Sequence, residues 1–182
     1  IKDTNETFNS YSDRMVFTYQ IKPEDVLIGL SFGGLMAQKI AKDLGNTKVI
    51  LISSFRSKSD LQPLMSFGLR LKLYKILPPF RIPILSDLIA FFLNSWKKES
   101  QQVIKEMLKS ADFRFINWAI RQIDQVNLTS KFPSDVLSFT GSNDKLVANW
   151  KSDNHISIKG GSHFMVFDHS EPIRTEIIKY IN

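Results

Sequence analysis

The stretch Val26-Leu27-Ile28-Gly29-Leu30-Ser31-Phe32-Gly33-Gly34-Leu35-Met36-Ala37 constrains the chain more than any other. A short apolar run enters a Gly-x-Ser-x-Gly motif and a helix-compatible run leaves it. That order predicts a strand, a sharp turn and a helix in immediate succession. Such a turn drives the backbone at Ser31 toward a strained, positive φ, so its close neighbours must be small. Gly29 and Gly33, two residues either side, are the positions expected to let strand and helix approach. Ser31 then stands at the carboxyl end of the strand with its hydroxyl pushed outward. The helix behind it points its first N–H groups to the same place, where an oxyanion would be stabilised. The motif alone also describes an ordinary Gly/Ser-rich turn, so its weight depends on what the rest of the chain supplies.

A chain of 182 residues with 43% hydrophobic composition is long enough for one compact domain with a sizeable core. It has no Cys, which excludes disulfide and thiolate chemistry and fits a reducing compartment, so a cytoplasmic location is expected. No run is long and apolar enough to predict a transmembrane segment. The net charge of +6 is unevenly placed. Residues 56–131 hold 13 Lys/Arg against 6 Asp/Glu, and the remainder holds 11 against 12, so the whole excess lies in one middle segment. The cations there are spread along helical patterns rather than gathered in a tract. That disfavours nucleic acid as a partner and favours an anionic substrate, an anionic membrane surface or solvated helix faces.

Taken in order, Phe8, Tyr11, Met15 and Tyr19 form one stripe of an N-terminal helix that Thr4 or Asn5 could cap. Val26–Leu30 reads as a strand apolar on both faces, as in a buried parallel sheet. The helix after Ser31 is expected to end near Leu44, at Gly45. Lys48–Ser53 is a second strand, so strand, helix and strand make one parallel crossover unit. From Phe55 to about Asn127 no strand intervenes. Four helical pieces are predicted, near Leu64–Leu77, Ser86–Trp96, Lys98–Lys109 and Arg114–Val126, with Pro78, Pro79 and Pro83 as punctuation. An insertion that leaves the carboxyl end of one strand and returns to the next sits over the edge that carries Ser31. The sheet resumes at Val136–Thr140 and His155–Ile158. Pro172 opens a last helix with Ile173, Ile177, Ile178 and Ile181 on its inner face.

A serine hydroxyl is a weak nucleophile at neutral pH and needs a base, which needs an orienting acid. Asp144 stands in the loop after strand 136–140, and His163 in the loop after strand 155–158. Each partner on its own has an ordinary alternative, Asp144 as a turn residue and His163 as a surface loop histidine. Together with Ser31 they give the order Ser, Asp, His, each at a strand end. Asp168, beyond His163, is the rival acid, on the wrong side for this topology. His155 and His169 read as structural or exposed. No His/Asp/Glu cluster has metal-ligand spacing, and no cofactor is expected.

With Gly29-Leu30-Ser31-Phe32-Gly33-Gly34, Gly141-Ser142-Asn143-Asp144-Lys145-Leu146-Val147 and Gly160-Gly161-Ser162-His163-Phe164 in hand, the chain resembles the α/β-hydrolases. The resemblance covers segments 24–55 and 134–182. It implies a mostly parallel sheet flanked by helices, with 1–55 and 132–182 as core and 56–131 as an inserted helical cap. It further implies Ser31 as nucleophile, His163 as base and acid, Asp144 as the acid that holds the imidazole, and the Phe32 N–H as one oxyanion donor. The family places four strands and a His-Gly loop before the elbow. The core is therefore expected to be incomplete at its N-terminus, with the second oxyanion donor upstream of Ile1. Only 18 residues separate Asp144 from His163, so a loop is expected where the family has a helix. The implied activity is hydrolysis of a carboxylic ester or thioester through an acyl-enzyme, on a small-molecule substrate with an apolar acyl chain or an anionic group. The alternatives are acyl transfer or perhydrolysis on the same fold, or a non-catalytic binding protein.

Overall fold

The structure is a computed structural model of the 182-residue chain, and it describes residues 5–45, 48–72, 93, 97–128, 135–148 and 154–182. Helix α1 (Phe8–Tyr19) leads into strand β1 (Leu27–Leu30), helix α2 (Phe32–Leu44) and strand β2 (Val49–Ile52). A short 3-10 turn (Lys58–Asp60) and helices α3 (Pro63–Arg70), α4 (Lys98–Ser110) and α5 (Phe113–Gln125) follow. Strands β3 (Val136–Gly141) and β4 (Asn154–Ile158), the short helix α6 (Met165–Asp168) and helix α7 (Ser170–Ile181) complete the order.

The four strands are all parallel and lie side by side in chain order, β1-β2-β3-β4. Their carboxyl ends, and the loops that leave them, therefore share one rim. The apolar run Val49-Ile50-Leu51-Ile52, β-branched at all but Leu51, is central, buried at every position, and feeds both faces of the sheet. On one face Leu27, Val49, Leu51 and Val136 pack with Leu35, Met36, Ile40 and Phe8 from α2 and α1. On the other, Ile50, Ile52, Leu137 and Phe139 pack with Met165, Ile173 and Ile177 from α6 and α7. Each such side chain contributes about 1.5–3 kcal/mol on full burial.

Several expectations are corrected. Strand β1 is apolar on both faces but not buried on both: Ile28 is 55% and Leu30 38% exposed. In register they stand beside Ile50 and Ile52, on the face that α7 covers. That helix packs over β2 and β3, and among the described residues no strand pairs with the outer edge of β1. The cap of α1 is Thr7, not Asn5, because Thr7 and Ser10 form a reciprocal capping box at 3.0–3.1 Å. Thr4 lies outside the described residues. Tyr19, Ile178 and Ile181, each in the last turn of its helix, are exposed rather than inner.

Between β2 and β3 the described residues form helices, loops and isolated bridges but no named strand, and α3 is shorter than predicted. Residues 73–77 and Ser86–Trp96, Leu93 aside, lie outside the described residues, as do Pro78, Pro79 and Pro83. The start and end of the segment between β2 and β3 are pinched together. Ser57 and Asn127 form an antiparallel bridge, the Leu128 N–H donates to the Arg56 carbonyl at 2.9 Å, and Lys58 Nζ meets Asp124 at 3.0 Å. No described helix is long and apolar enough to cross a membrane.

Candidate active site

Ser31 is the single residue between β1 and α2, with φ 51° and ψ −120°. A non-glycine residue there costs on the order of 1–3 kcal/mol and persists only where its surroundings over-determine it. Three hydrogen bonds do so. The Ser31 N–H donates to the Ile52 carbonyl at 3.0 Å, continuing the sheet past its end. The Ser31 carbonyl accepts from the Gly34 N–H at 3.0 Å and from the Ser54 hydroxyl at 2.8 Å. Close approach of strand and helix falls on Gly29 and Gly34, not on Gly29 and Gly33. A Cβ on Gly29 would lie 2.4 Å from Gly34 Cα, and one on Gly34 would lie 2.1 Å from Ser54 Oγ, whereas one on Gly33 meets nothing within 4 Å. The motif marks Gly29 and Gly33, and Gly34 follows without a signal of its own. Ser54 carried none beyond its place after a strand.

Asp144 and His163 come to Ser31 from the same rim. Their loops are packed against each other where Gly141, ending β3, meets Gly161: a Cβ on Gly141 would lie 2.2 Å from the Gly161 carbonyl oxygen. The Asn143 N–H donates to that carbonyl at 2.9 Å. His163 Nδ1 stands 2.9 Å from Asp144 Oδ2 and 3.1 Å from Oδ1, and His163 Nε2 stands 2.9 Å from Ser31 Oγ. An ionised carboxylate can only accept, so Nδ1 carries the ring proton and Nε2 is left to accept from the serine hydroxyl. The histidine and aspartate side chains are 5% and 0% exposed. Asp144 Oδ1 also accepts from the Leu146 and Val147 N–H groups at 2.8 and 2.9 Å, which satisfies the buried charge. Ser31 itself is only partly buried and lines a cavity together with Phe32 and Phe115.

Phe32 is the first residue of α2, whose leading N–H groups have no carbonyl within the helix to bond. Its ring is boxed in edge-on by Phe8 at 6.0 Å, Phe115 at 6.0 Å and Trp118 at 5.7 Å between centroids. The last two come from α5, so that helix reaches the serine turn. Burial pushes the phenol of Tyr11, tilted against Trp118, above its usual value and keeps it neutral.

Asp168 is spent elsewhere: its Oδ1 accepts from the Ser100 hydroxyl at 2.6 Å and its carbonyl from Lys97 Nζ at 2.9 Å. His155 bridges Ser138 and Thr140 on the neighbouring strand at 3.1 and 3.2 Å. His169 is partly buried behind α6. Residues 145–148, between acid and base, are not helical, and 149–153 lie outside the described residues.

The sheet, its crossovers and this rim can be set beside solved structures. A hydrolase from Pseudomonas aeruginosa superposes with a TM-score of 0.76 at 10% identity, over 97% of this chain and 72% of that one. The fold is that of the α/β-hydrolases. A structure of the carboxylesterases of Nitrososphaera gargenis aligns with a TM-score of 0.69 at 13% identity, over 99% of this chain and 73% of that one. A bromoperoxidase from Bacillus anthracis gives 0.66 at 11% identity, over 97% and 74%. These α/β-hydrolase structures all extend beyond what this chain covers. No protein-family model matches the sequence, and no curated protein matches it.

Proposed function

We propose that the chain is a serine hydrolase that cleaves a carboxylic ester or thioester. The observation that carries this reading is the unbroken line of hydrogen bonds from Ser31 Oγ through His163 to Asp144. His163 Nε2 takes the hydroxyl proton as Ser31 Oγ attacks the carbonyl carbon, and Asp144 stabilises the imidazolium that forms. The Phe32 N–H, at the positive end of α2, receives the developing oxyanion. His163 then protonates the leaving alcohol or thiol, and the acyl group stays on Ser31. Water, deprotonated by His163, attacks the acyl-enzyme, and His163 returns that proton to Ser31 Oγ as the acid leaves.

Segment 56–131 acts as the cap. Support comes from its pinched base and from Phe115 and Trp118 against the ring of Phe32. An apolar acyl chain suits that aromatic wall, and the segment's net positive charge suits an anionic leaving group. The test is labelling with a fluorophosphonate, which reacts only with an activated serine. Wild-type chain is expected to label and Ser31→Ala not at all. Equal labelling of the two would end the proposal.

A further inference from the structure

Asp144 can orient His163 only if the loop that carries the carboxylate is itself held. Part of the hold is internal, through the Leu146 and Val147 N–H groups that close around Oδ1. More comes from outside the loop, and most of it from one residue. Gln62 Nε2 donates to the Asp144 carbonyl at 2.9 Å and to the Val147 carbonyl at 3.3 Å, and the Gln62 N–H donates to the Leu146 carbonyl at 2.8 Å. Three of the loop's carbonyls thus end on Gln62. Its neighbours extend the seam: Leu61 bridges Val147, and the Ala148 N–H donates to the Asp60 carbonyl at 2.8 Å.

Gln62 occupies the N-cap of α3, a place where Ser, Thr, Asp or Asn would turn an oxygen onto the helix. Its side chain makes no cap hydrogen bond. The amide is used as a donor, and it points at the acid loop instead. Leu61 and Val147 are 8% and 1% exposed, so the seam is shielded from water that could replace these bonds.

We propose that Gln62 is a positioning residue for Asp144, which makes the acid's geometry depend on the insertion that α3 opens. The inference rests on the serine-hydrolase reading above. Because one side chain holds both ends of the acid loop, the start of the insertion cannot leave the sheet without releasing Asp144. Ser100 and Lys97 make a parallel hold on α6, just after His163, so the insertion grips the elements carrying acid and base separately.

The experiment compares wild type with Gln62→Met, which keeps the stem and removes the donor, and with Ser66→Ala. Ser66 bonds the Lys58 and Leu61 carbonyls at the same helix entry and does not touch the acid loop. Two readouts are taken. The first is fluorophosphonate labelling, split into maximal rate and half-saturating concentration. The second is the NMR signal of the His163 Nδ1–H proton. Expected for Gln62→Met is a maximal rate about ten- to a hundredfold lower at unchanged half-saturation, with the proton signal moved upfield or lost to exchange. Ser66→Ala should match wild type in both. Wild-type behaviour of Gln62→Met, or equal losses in the two variants, overturns the proposal. If circular dichroism shows Gln62→Met unfolded, Gln62→Asn, with the same donor on a shorter stem, is read by the same criteria. If wild type itself does not label, the hydrolase reading falls and the proton signal alone decides the role of Gln62.

Discussion

At Ser31 a backbone conformation that an L-residue avoids is held in place by bonds to β2 and to Ser54, and it aims the hydroxyl at His163. That conformation depends on how closely α2 can approach β1, which is decided at Gly29 and Gly34. Adding a methyl at Gly34 forces Ser54 off the Ser31 carbonyl. Gly34→Ala is therefore expected to cost about 1–3 kcal/mol and to slow fluorophosphonate labelling. Gly33→Ala points its methyl into open space on a helix and should gain about 0.5–1 kcal/mol. Urea unfolding midpoints read the difference. A Gly34→Ala midpoint at or above that of Gly33→Ala would refute the account of the close approach.

Among the elements, α7 is tied to the sheet by more than its apolar face. Ile173 is buried against Phe139 and its neighbours, and the Tyr180 hydroxyl donates to the Asp135 carboxylate at the entry to β3. Burial, and then that hydrogen bond, push the Tyr180 phenol well above its usual value of 10.0. The neutral phenol is the form the fold keeps. Above about pH 10 the unfolded chain sheds this proton and the folded chain does not, so the native state binds more protons and stability falls as pH rises. Tyr180→Phe removes this titration. Its melting temperature should start lower, for want of the hydrogen bond, and fall less steeply than that of wild type between about pH 9 and 11. Parallel slopes would show that Tyr180 plays no part in alkaline loss of stability.

Over the whole molecule, the two faces of one four-stranded sheet carry separate apolar clusters that share β2 and β3. A shared sheet predicts a shared transition. Leu35→Ala on one face and Ile173→Ala on the other should each cost about 2–5 kcal/mol, and the double variant should show nearly the sum. Far-UV circular dichroism and tryptophan fluorescence should stay coincident in urea. Two separated transitions in either variant would mean that the faces unfold independently. The described residues between β2 and β3 belong to the same unit through the Ser57–Asn127 bridge, the Gln62 bonds and the packing of Trp118, which is 2% exposed.

Local chemistry was enough to read the strand, turn and helix around Ser31, the stop at Gly45, the places of the four strands and the order of Ser31, Asp144 and His163. Each is written in contiguous residues, as an apolar run, a glycine or a loop at a strand end. Contacts between distant segments were not legible. No pattern near residue 62 points to residue 144, and nothing around Gly33 says that the tighter fit belongs to Gly34. The exposure of Ile28 and Leu30 depends on how far α7 reaches across the sheet, a distance that no local periodicity encodes. Sequence spacing records which groups lie at strand ends, whereas hydrogen-bond reach between those ends is a property of the packed sheet.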